Sequence, residues 1–377
     1  MKNLFNSIRP YSEEETIAAI KQLFIDPKMI QKLKIFEDKI NINDWVKEIL
    51  ACKTQFDFHL ALAYKVFQYF TKKTCTQIHF SGIENIDPKK QYLFISNHRD
   101  IVWDSTLLQI YRFENGYPAS RSAIGDNLVS TPLFLELSRL HKMFLVLRSG
   151  TLKESILNTR LLSSYIHHSI FKEQESVWIA QGNGRTKNGD DKTQQGLLKM
   201  LTLATPKNAL QTLQQMQITP ITVSYQYEPC AQLKARELAL SEDAPYIKQP
   251  GEDAHSIING ITGYKGAVNL VIGTPLQKEF EKIPSNLSLN EQLGVICEQI
   301  DRQIYEHYVL HPQNFIAWDM QKNSEQFATH YTKEEKLAFT DYLNMQSLIP
   351  DVPQEKMMSY LLEIYANPVG NKLGIKN

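Results

Sequence analysis

The chain has only four cysteines, and no two of them form a C-x-x-C pair. Cys52, Cys75, Cys230 and Cys297 stand singly, so neither a disulfide framework nor a zinc site is expected. A reducing, cytoplasmic setting fits that usage. Nor is there an excess of charge of one sign: 41 basic and 41 acidic side chains give a formal net charge of zero. That balance argues against a protein that wraps a long nucleic acid by bulk charge, while leaving a local basic pocket open. No run approaches the roughly 18 uninterrupted apolar residues that crossing a bilayer takes. The stretch from Leu60 to Phe70 is short and is interrupted by Lys65. The opening MKNLFNSIRPYSEEE lacks the apolar stretch of a signal peptide. No glycine is followed two residues later by serine, which rules out the G-x-S-x-G elbow of a serine esterase. Repeats and low-complexity linkers are missing as well.

What is present is an ordinary globular composition, 42% hydrophobic and 22% charged, on a chain longer than one average domain. Residues 1–75 read as helical, with Ser12 and Glu15 forming a capping-box pattern and a periodic run over 56–72. From residue 76 the pattern turns to short apolar strands separated by helices. The strands are expected at 77–80, 92–96, 144–147, 177–180, 218–225 and 268–272, with helices at 103–112, 152–172 and 207–215. This alternation predicts an α/β domain over 76–285 with a mostly parallel central sheet flanked by helices. Chemistry in such sheets gathers in the loops that leave the strand carboxyl ends. Residues 286–377 read as helical again. Their last helix carries Met357, Met358, Leu361, Leu362 and Tyr365 at helical spacing, a stripe that suits a core or a docking face.

Four stretches carry candidate chemistry. The first is YLFISNHRDIVWDSTLL, residues 92–108. A buried strand delivers Asn97 and His98 into a loop before a helix begins. A histidine titrates near neutrality and can take a proton from a hydroxyl. A nearby carboxylate would fix its tautomer and stabilise the cation formed. Asp104 is the expected partner and Asp100 the alternative, the latter also being placed to cap the helix. The second stretch, MFLVLRSG over 143–150, ends a strand in Arg148, whose planar fork suits a phosphate. The third is VWIAQGNGRTKNGDDKT, residues 177–193, a strand running into a loop with three glycines and three basic residues. Glycines let a backbone approach an anion closely, and Arg185 and Lys187 would supply the counter-charge. Gly184 and Gly189 are spaced as in a phosphate loop, but Asp190 and Asp191 stand where lysine and a hydroxyl are required. Those two acids are expected to form a solvated turn rather than a metal pair. The fourth stretch, ITPITVSYQYEP over 218–229, is a buried strand with a proline near its entry.

In this order and spacing the four stretches resemble the motifs of the glycerol-3-phosphate and lysophosphatidate acyltransferase family, over about residues 92–275. The first motif of that family is Asn-His followed by an aspartate, and His98 with Asp104 matches it with five intervening residues where the family has four. Arg148 matches the arginine that ends the second motif. Asn183, Gly184, Arg185 and Lys187 fall on the third, where an amide, Asn183 or Gln181, replaces the family's glutamate. The resemblance implies transfer of a fatty acyl group from an acyl thioester, acyl-CoA or acyl carrier protein, to a lipid-precursor hydroxyl. In it His98 is the general base, Asp104 its partner, and Arg148, Asn183, Gly184, Arg185 and Lys187 hold an acidic acceptor. It implies no metal and no bound cofactor. It further implies contact with the inner face of the cytoplasmic membrane, through the N-terminal helices or the terminal methionine stripe. An acceptor without phosphate, and a silent member that only binds lipid, are the competing expectations.

Overall fold

The structure is a computed structural model that describes residues 2–129, 131–148, 150–242 and 244–375. Its strands are β1 (Cys75–Ser81), β2 (Leu93–Ser96), β3 (Arg121–Gly125), β4 (Met143–Val146), β5 (Val177–Ala180), β6 (Ile218–Tyr225) and β7 (Gly266–Ile272). The fold is α/β with mostly parallel strands and flanking helices, as the alternation of the sequence predicts. The boundaries of β5 and β6 coincide with those expected.

The chain divides into two compact units, Met1–Lys73 with Gln109–Trp178, and Thr74–Leu108 with Ile179–Asn377. Neither is continuous, because a parallel sheet pairs strands distant in the chain. The units therefore do not follow the divisions 1–75, 76–285 and 286–377, which mark changes of pattern along the sequence.

In the first unit β3 pairs in parallel with β4, Ser122 facing Met143, and with the start of β5, Arg121 facing Val177. Its helical part buries Phe24, Trp45, Ile49, Phe58 and Leu140 in one core. Ser12 and Glu15 form the expected capping box on the Glu13–Phe24 helix. The expected single helix over 56–72 is helical throughout but changes winding, with a π segment over His59–Tyr64 between α segments.

In the second unit β7 lies between β1, to which it is parallel, and β6, to which it is antiparallel. β2 is parallel to the other side of β6, with Ser96 facing Ile221. The main chain of β2 then leaves the sheet, and the Asn97 side chain continues the ladder. Its Oδ1 accepts from Val223 N at 2.8 Å and its Nδ2 donates to Val223 O at 2.9 Å. An amide side chain, carrying both a donor and an acceptor, can stand in for a peptide group in this way. The C-terminal helices share a core with the Ala231–Leu240 helix: Trp318, Phe339, Leu343, Met357, Leu361 and Tyr365 pack on Ala231, Ala235 and Ala239. Within the terminal methionine stripe Met357, Leu361 and Tyr365 are therefore interior, while Met358 and Leu362 are half-buried at its edge.

Candidate active site

Because Asn97 pins the end of β2, the next residues turn sharply into the Trp103–Glu114 helix. Asp100 caps that helix, its Oδ1 accepting from the Val102 and Trp103 N–H groups at 2.8 Å each. With Asp100 so engaged, Asp104 in the first turn meets the histidine. His98 Nδ1 lies 2.8 Å from Asp104 Oδ2. The same oxygen accepts from the main-chain N–H of Arg99 at 2.6 Å and of Asp100 at 2.9 Å. The other oxygen, Oδ1, accepts from the Tyr225 hydroxyl at 2.7 Å. Of the two carboxylates left open by the sequence, Asp104 is thus the partner and Asp100 the cap. The five-residue spacing is accommodated at the start of the helix.

Asp104 is fully buried, whereas the His98 side chain retains 13% of its exposure. Burial alone would raise the Asp104 carboxyl, but the His98 contact and the Tyr225 hydrogen bond outweigh it and hold the group below the usual carboxylate range. Asp100 moves the other way, pushed up by burial and by the neighbouring Asp104. Burial and the Asp104 charge together drive the Tyr225 hydroxyl far up, so it stays a donor.

Behind this dyad lies a buried ionic cluster that sequence reasoning missed. Arg99, with no exposed side-chain surface, donates to Asp191 Oδ2 through Nε at 3.1 Å and Nη2 at 2.7 Å. Its Nη1 reaches Glu228 Oε2 at 3.2 Å. Lys234 Nζ donates to Glu228 Oε1 at 2.5 Å and to the Arg99 carbonyl at 2.6 Å, closing a ring. Asp191 also accepts from Asn97 Nδ2 at 3.1 Å and from Thr186 Oγ1 at 2.8 Å, while Thr186 N donates to the His98 carbonyl at 2.8 Å. One carboxylate therefore joins the residues on both sides of His98 to the loop after β5. Asp191 is 2% exposed, which corrects the expectation of a solvated turn. The available signal was the pairing of Arg99, in the first motif, with a carboxylate of the third.

The remaining expected site residues divide. Asn183 is exposed, its N–H accepted by Gln194 Oε1 at 2.9 Å. Gln181, directly after β5, is buried, and neither of its amide atoms has a hydrogen-bond partner. Gly184 has φ +91° with open space where a Cβ would be. The Arg185 guanidinium lies by the Cys230 thiol. Lys187 Nζ is paired with Glu237. Burial, helped by the Arg185 charge, pushes that amine down to about 8. Arg148 belongs to the first unit, where it is exposed and lies over Gly125, its N–H donating to Asp126 Oδ1 at 3.2 Å. His98, Asp104, Asn183, Gly184, Arg185 and Lys187 all belong to the second. Ser149, in the same stretch as Arg148, lies outside the described residues.

The loop carrying Asp191 is braced by the Gln354–Leu373 helix. Pro368 inside that helix has no N–H to give the Ile364 carbonyl, and Gly189, at φ +81°, approaches that carbonyl closely enough that a Cβ would sit 2.3 Å from its oxygen. Asn188 is held at both ends, by Glu363 at 3.0 Å and Asn367 at 2.8 Å. No helix among the described residues is long and apolar enough to cross a membrane.

Residues 77–226 match the family model described as Acyltransferase. Among solved structures, the chain is similar to the 1-acyl-sn-glycerophosphate acyltransferase PlsC from Thermotoga maritima. That match has 12% sequence identity and a TM-score of 0.38, and covers 76% of this chain and 95% of the other. None of the curated proteins matches the chain.

Proposed function

Starting from residues 77–226, which match the Acyltransferase family model, we propose that the chain is an O-acyltransferase of the glycerolipid type and transfers a fatty acyl group to glycerol-3-phosphate or lysophosphatidate. The donor is an acyl thioester, on coenzyme A or acyl carrier protein. The observation that carries the reading is the 2.8 Å contact between His98 Nδ1 and an Asp104 fixed by three further donors. With Nδ1 held there, Nε2 is the nitrogen that takes the acceptor hydroxyl's proton as its oxygen attacks the thioester carbon. Asp104 stabilises the imidazolium, and the C–S bond then breaks as the proton passes from His98 to the departing sulfur. General-base help of this kind contributes about 10²–10⁴-fold, and placing the two substrates together supplies much of the rest. Arg185 and Lys187 stand on the loop that Thr186 ties to the His98 carbonyl, and are the cations for the acceptor phosphate. Asn183 and Gly184, on the same loop, complete the acceptor set proposed within this unit. No metal or bound cofactor enters the scheme. The chain would work from the cytoplasm at the inner face of the membrane.

A second reading, an acceptor without phosphate, has its own support. Lys187 is already paired with Glu237, and amides stand at both candidate positions of the third-motif acid. The test follows free thiol released from a long-chain acyl-CoA or acyl carrier protein. The acceptors are glycerol-3-phosphate, lysophosphatidate and a non-phosphate lysolipid, with His98→Ala as control. Release with a phosphate acceptor that disappears in the variant supports the proposal. Release with the non-phosphate lysolipid alone selects the second reading. No release from folded protein with either donor would leave a silent lipid-binding protein.

A further inference from the structure

The Leu152–Phe171 helix becomes part of its unit's core only after two turns. Residues 151–157 are all exposed, and burial sets in at Leu162 (8% exposed) and Tyr165 (1%). On that projecting tip Leu152 keeps 80% of its exposure, Ile156 50% and Leu157 54%. Exposed apolar residues standing singly, such as Leu4, Ile25 and Ile35, are ordinary. Three within six residues at one helix end are not. With 3.6 residues per turn, Leu152, Ile156, Arg160, Lys153 and Leu157 follow one another around an arc of roughly 140°. Glu154 falls outside the arc and is committed to the cap, its Oε2 accepting from Thr151 N at 2.6 Å and Oγ1 at 2.8 Å. The tip therefore presents three large apolar side chains and two cations, with no acid among them.

The shape of this feature selects its partner. A helix read by a protein groove offers apolar anchors at i, i+3/i+4 and i+7, and here the helix is buried before a third turn is available. Three side chains also fall far short of the ~1,200 Å² that a stable protein interface buries. A lipid surface requires neither length nor shape matching, because it closes around whatever apolar groups enter it. Basic residues flanking those groups meet the phosphates of anionic lipid.

We propose that the tip formed by residues 151–160 docks the protein on anionic lipid. Leu152, Ile156 and Leu157 enter the boundary between headgroups and acyl chains, and Lys153 and Arg160 contact lipid phosphates. The choice of lipid as partner rests on the acyltransferase reading, but the test separates the two. The full chain is sedimented with phosphatidylcholine vesicles containing or lacking phosphatidylglycerol. The wild type binds those with phosphatidylglycerol. The combined variant Leu152→Ser, Ile156→Ser, Leu157→Ser loses about a hundredfold in partitioning. The variant Lys153→Gln, Arg160→Gln loses about tenfold, and loses it only on the anionic vesicles. Both variants replace exposed side chains, so thiol release with a soluble short-chain acyl thioester and glycerol-3-phosphate stays at the wild-type rate. If no protein, wild type included, releases thiol while the binding pattern holds, the function reading fails and the docking element stands. Failure of the wild type to bind anionic vesicles at low salt would overturn the proposal. So would equal binding by the triple-serine variant, or a wild-type dimer in solution that this variant dissociates, which would assign the tip to a second copy of the chain.

Discussion

Replacing Asp191 tests whether the buried cluster behind His98 positions the base. Arg99, Asp191, Glu228 and Lys234 form a neutral quartet in which every side chain is 3% exposed or less. Asp191→Asn keeps the volume but leaves one net positive charge in the interior. Its Oδ1 can still accept from Arg99 and Asn97, with the amide NH₂ turned to the Thr186 hydroxyl, so what is removed is the charge that neutralises Arg99. Removing one partner of a buried ion pair costs about 3–5 kcal/mol, against a total stability of about 5–15 kcal/mol. The variant should therefore fold, with a clearly lowered urea midpoint. Its kcat should fall about a hundredfold, the order expected when reacting groups are displaced by an ångström. KM should stay near wild type, since Asp191 faces the Asn97, Arg99 and Thr186 side chains rather than a substrate. The decisive comparison is the double variant Arg99→Met, Asp191→Leu. It removes one charge of each sign and leaves Lys234 paired with Glu228 at 2.5 Å, so much of the stability should return. Leucine cannot hold the Thr186 and Asn97 side chains, so kcat should stay low. A double variant that regains activity along with stability would refute positioning and reduce the cluster to packing. So would an Asp191→Asn enzyme with wild-type kcat.

Three further outcomes follow from single contacts. Gly189→Ala should cost more than about 2 kcal/mol in chemical denaturation, because it adds a Cβ 2.3 Å from the Ile364 carbonyl oxygen at a residue with φ +81°; a cost under 1 kcal/mol would contradict the close approach. Lys187, with its amine held down to about 8, is charged below that pH and neutral above it. KM for a phosphate acceptor should therefore rise as pH passes about 8, and Lys187→Arg, which cannot lose its charge there, should flatten the rise. Asp301 is pushed up to about 6, chiefly by burial, so the folded state resists its ionisation. That cost is absent below the unfolded value near 3.8 and complete above about 6. Asp301→Asn should accordingly stabilise the protein at pH 8 by on the order of 2 kcal/mol, with little gain at pH 4, as read from urea midpoints at the two pH values.

The parts of the fold legible in the sequence are those that side-chain pattern determines. β6 is buried at all eight positions, and its unbroken run from Ile218 to Tyr225 reads as a strand from composition alone. β3 went unread because Arg121-Ser122-Ala123-Ile124-Gly125 has little apolar content. Its place comes from main-chain pairing with both β4 and β5, which no local window contains. The same limit explains the site. His98 and Asp104 lie six residues apart and could be paired from the sequence. Asp191 sits between Asp190 and Lys192 and looks solvated, yet the groups that bury it, Asn97 and Arg99, are more than ninety residues away. Tyr225 and Glu228 stood inside a recognised stretch, but hydrogen bonds to Asp104 and Arg99 are properties of the folded strand exit. Pro368 was equally unreadable as a helical residue. The helix runs through it to Leu373, and the Ile364 carbonyl, which Pro368 cannot serve, faces Gly189.

Arg99 shows why such a cluster belongs behind a base of this kind. Its main-chain N–H lies 2.6 Å from Asp104 Oδ2, so its guanidinium could have turned onto the same carboxylate. That arrangement would work against catalysis as proposed. Asp104 stabilises the imidazolium through its negative charge, and a fixed cation bound to it would offset that charge before His98 acquires a proton. Instead the guanidinium is drawn away and neutralised by Asp191 and Glu228, whose charges outweigh the effect of burial and keep it protonated. Asp104 is left to neutral donors, two peptide N–H groups and the Tyr225 hydroxyl, which hold it ionised without cancelling it. The side chain next to the base thus supplies a hydrogen bond to the dyad through its backbone while its charge is spent on joining the two loops. Moving Arg99's charge, rather than deleting it, is therefore the change to which proton abstraction at His98 should be most sensitive.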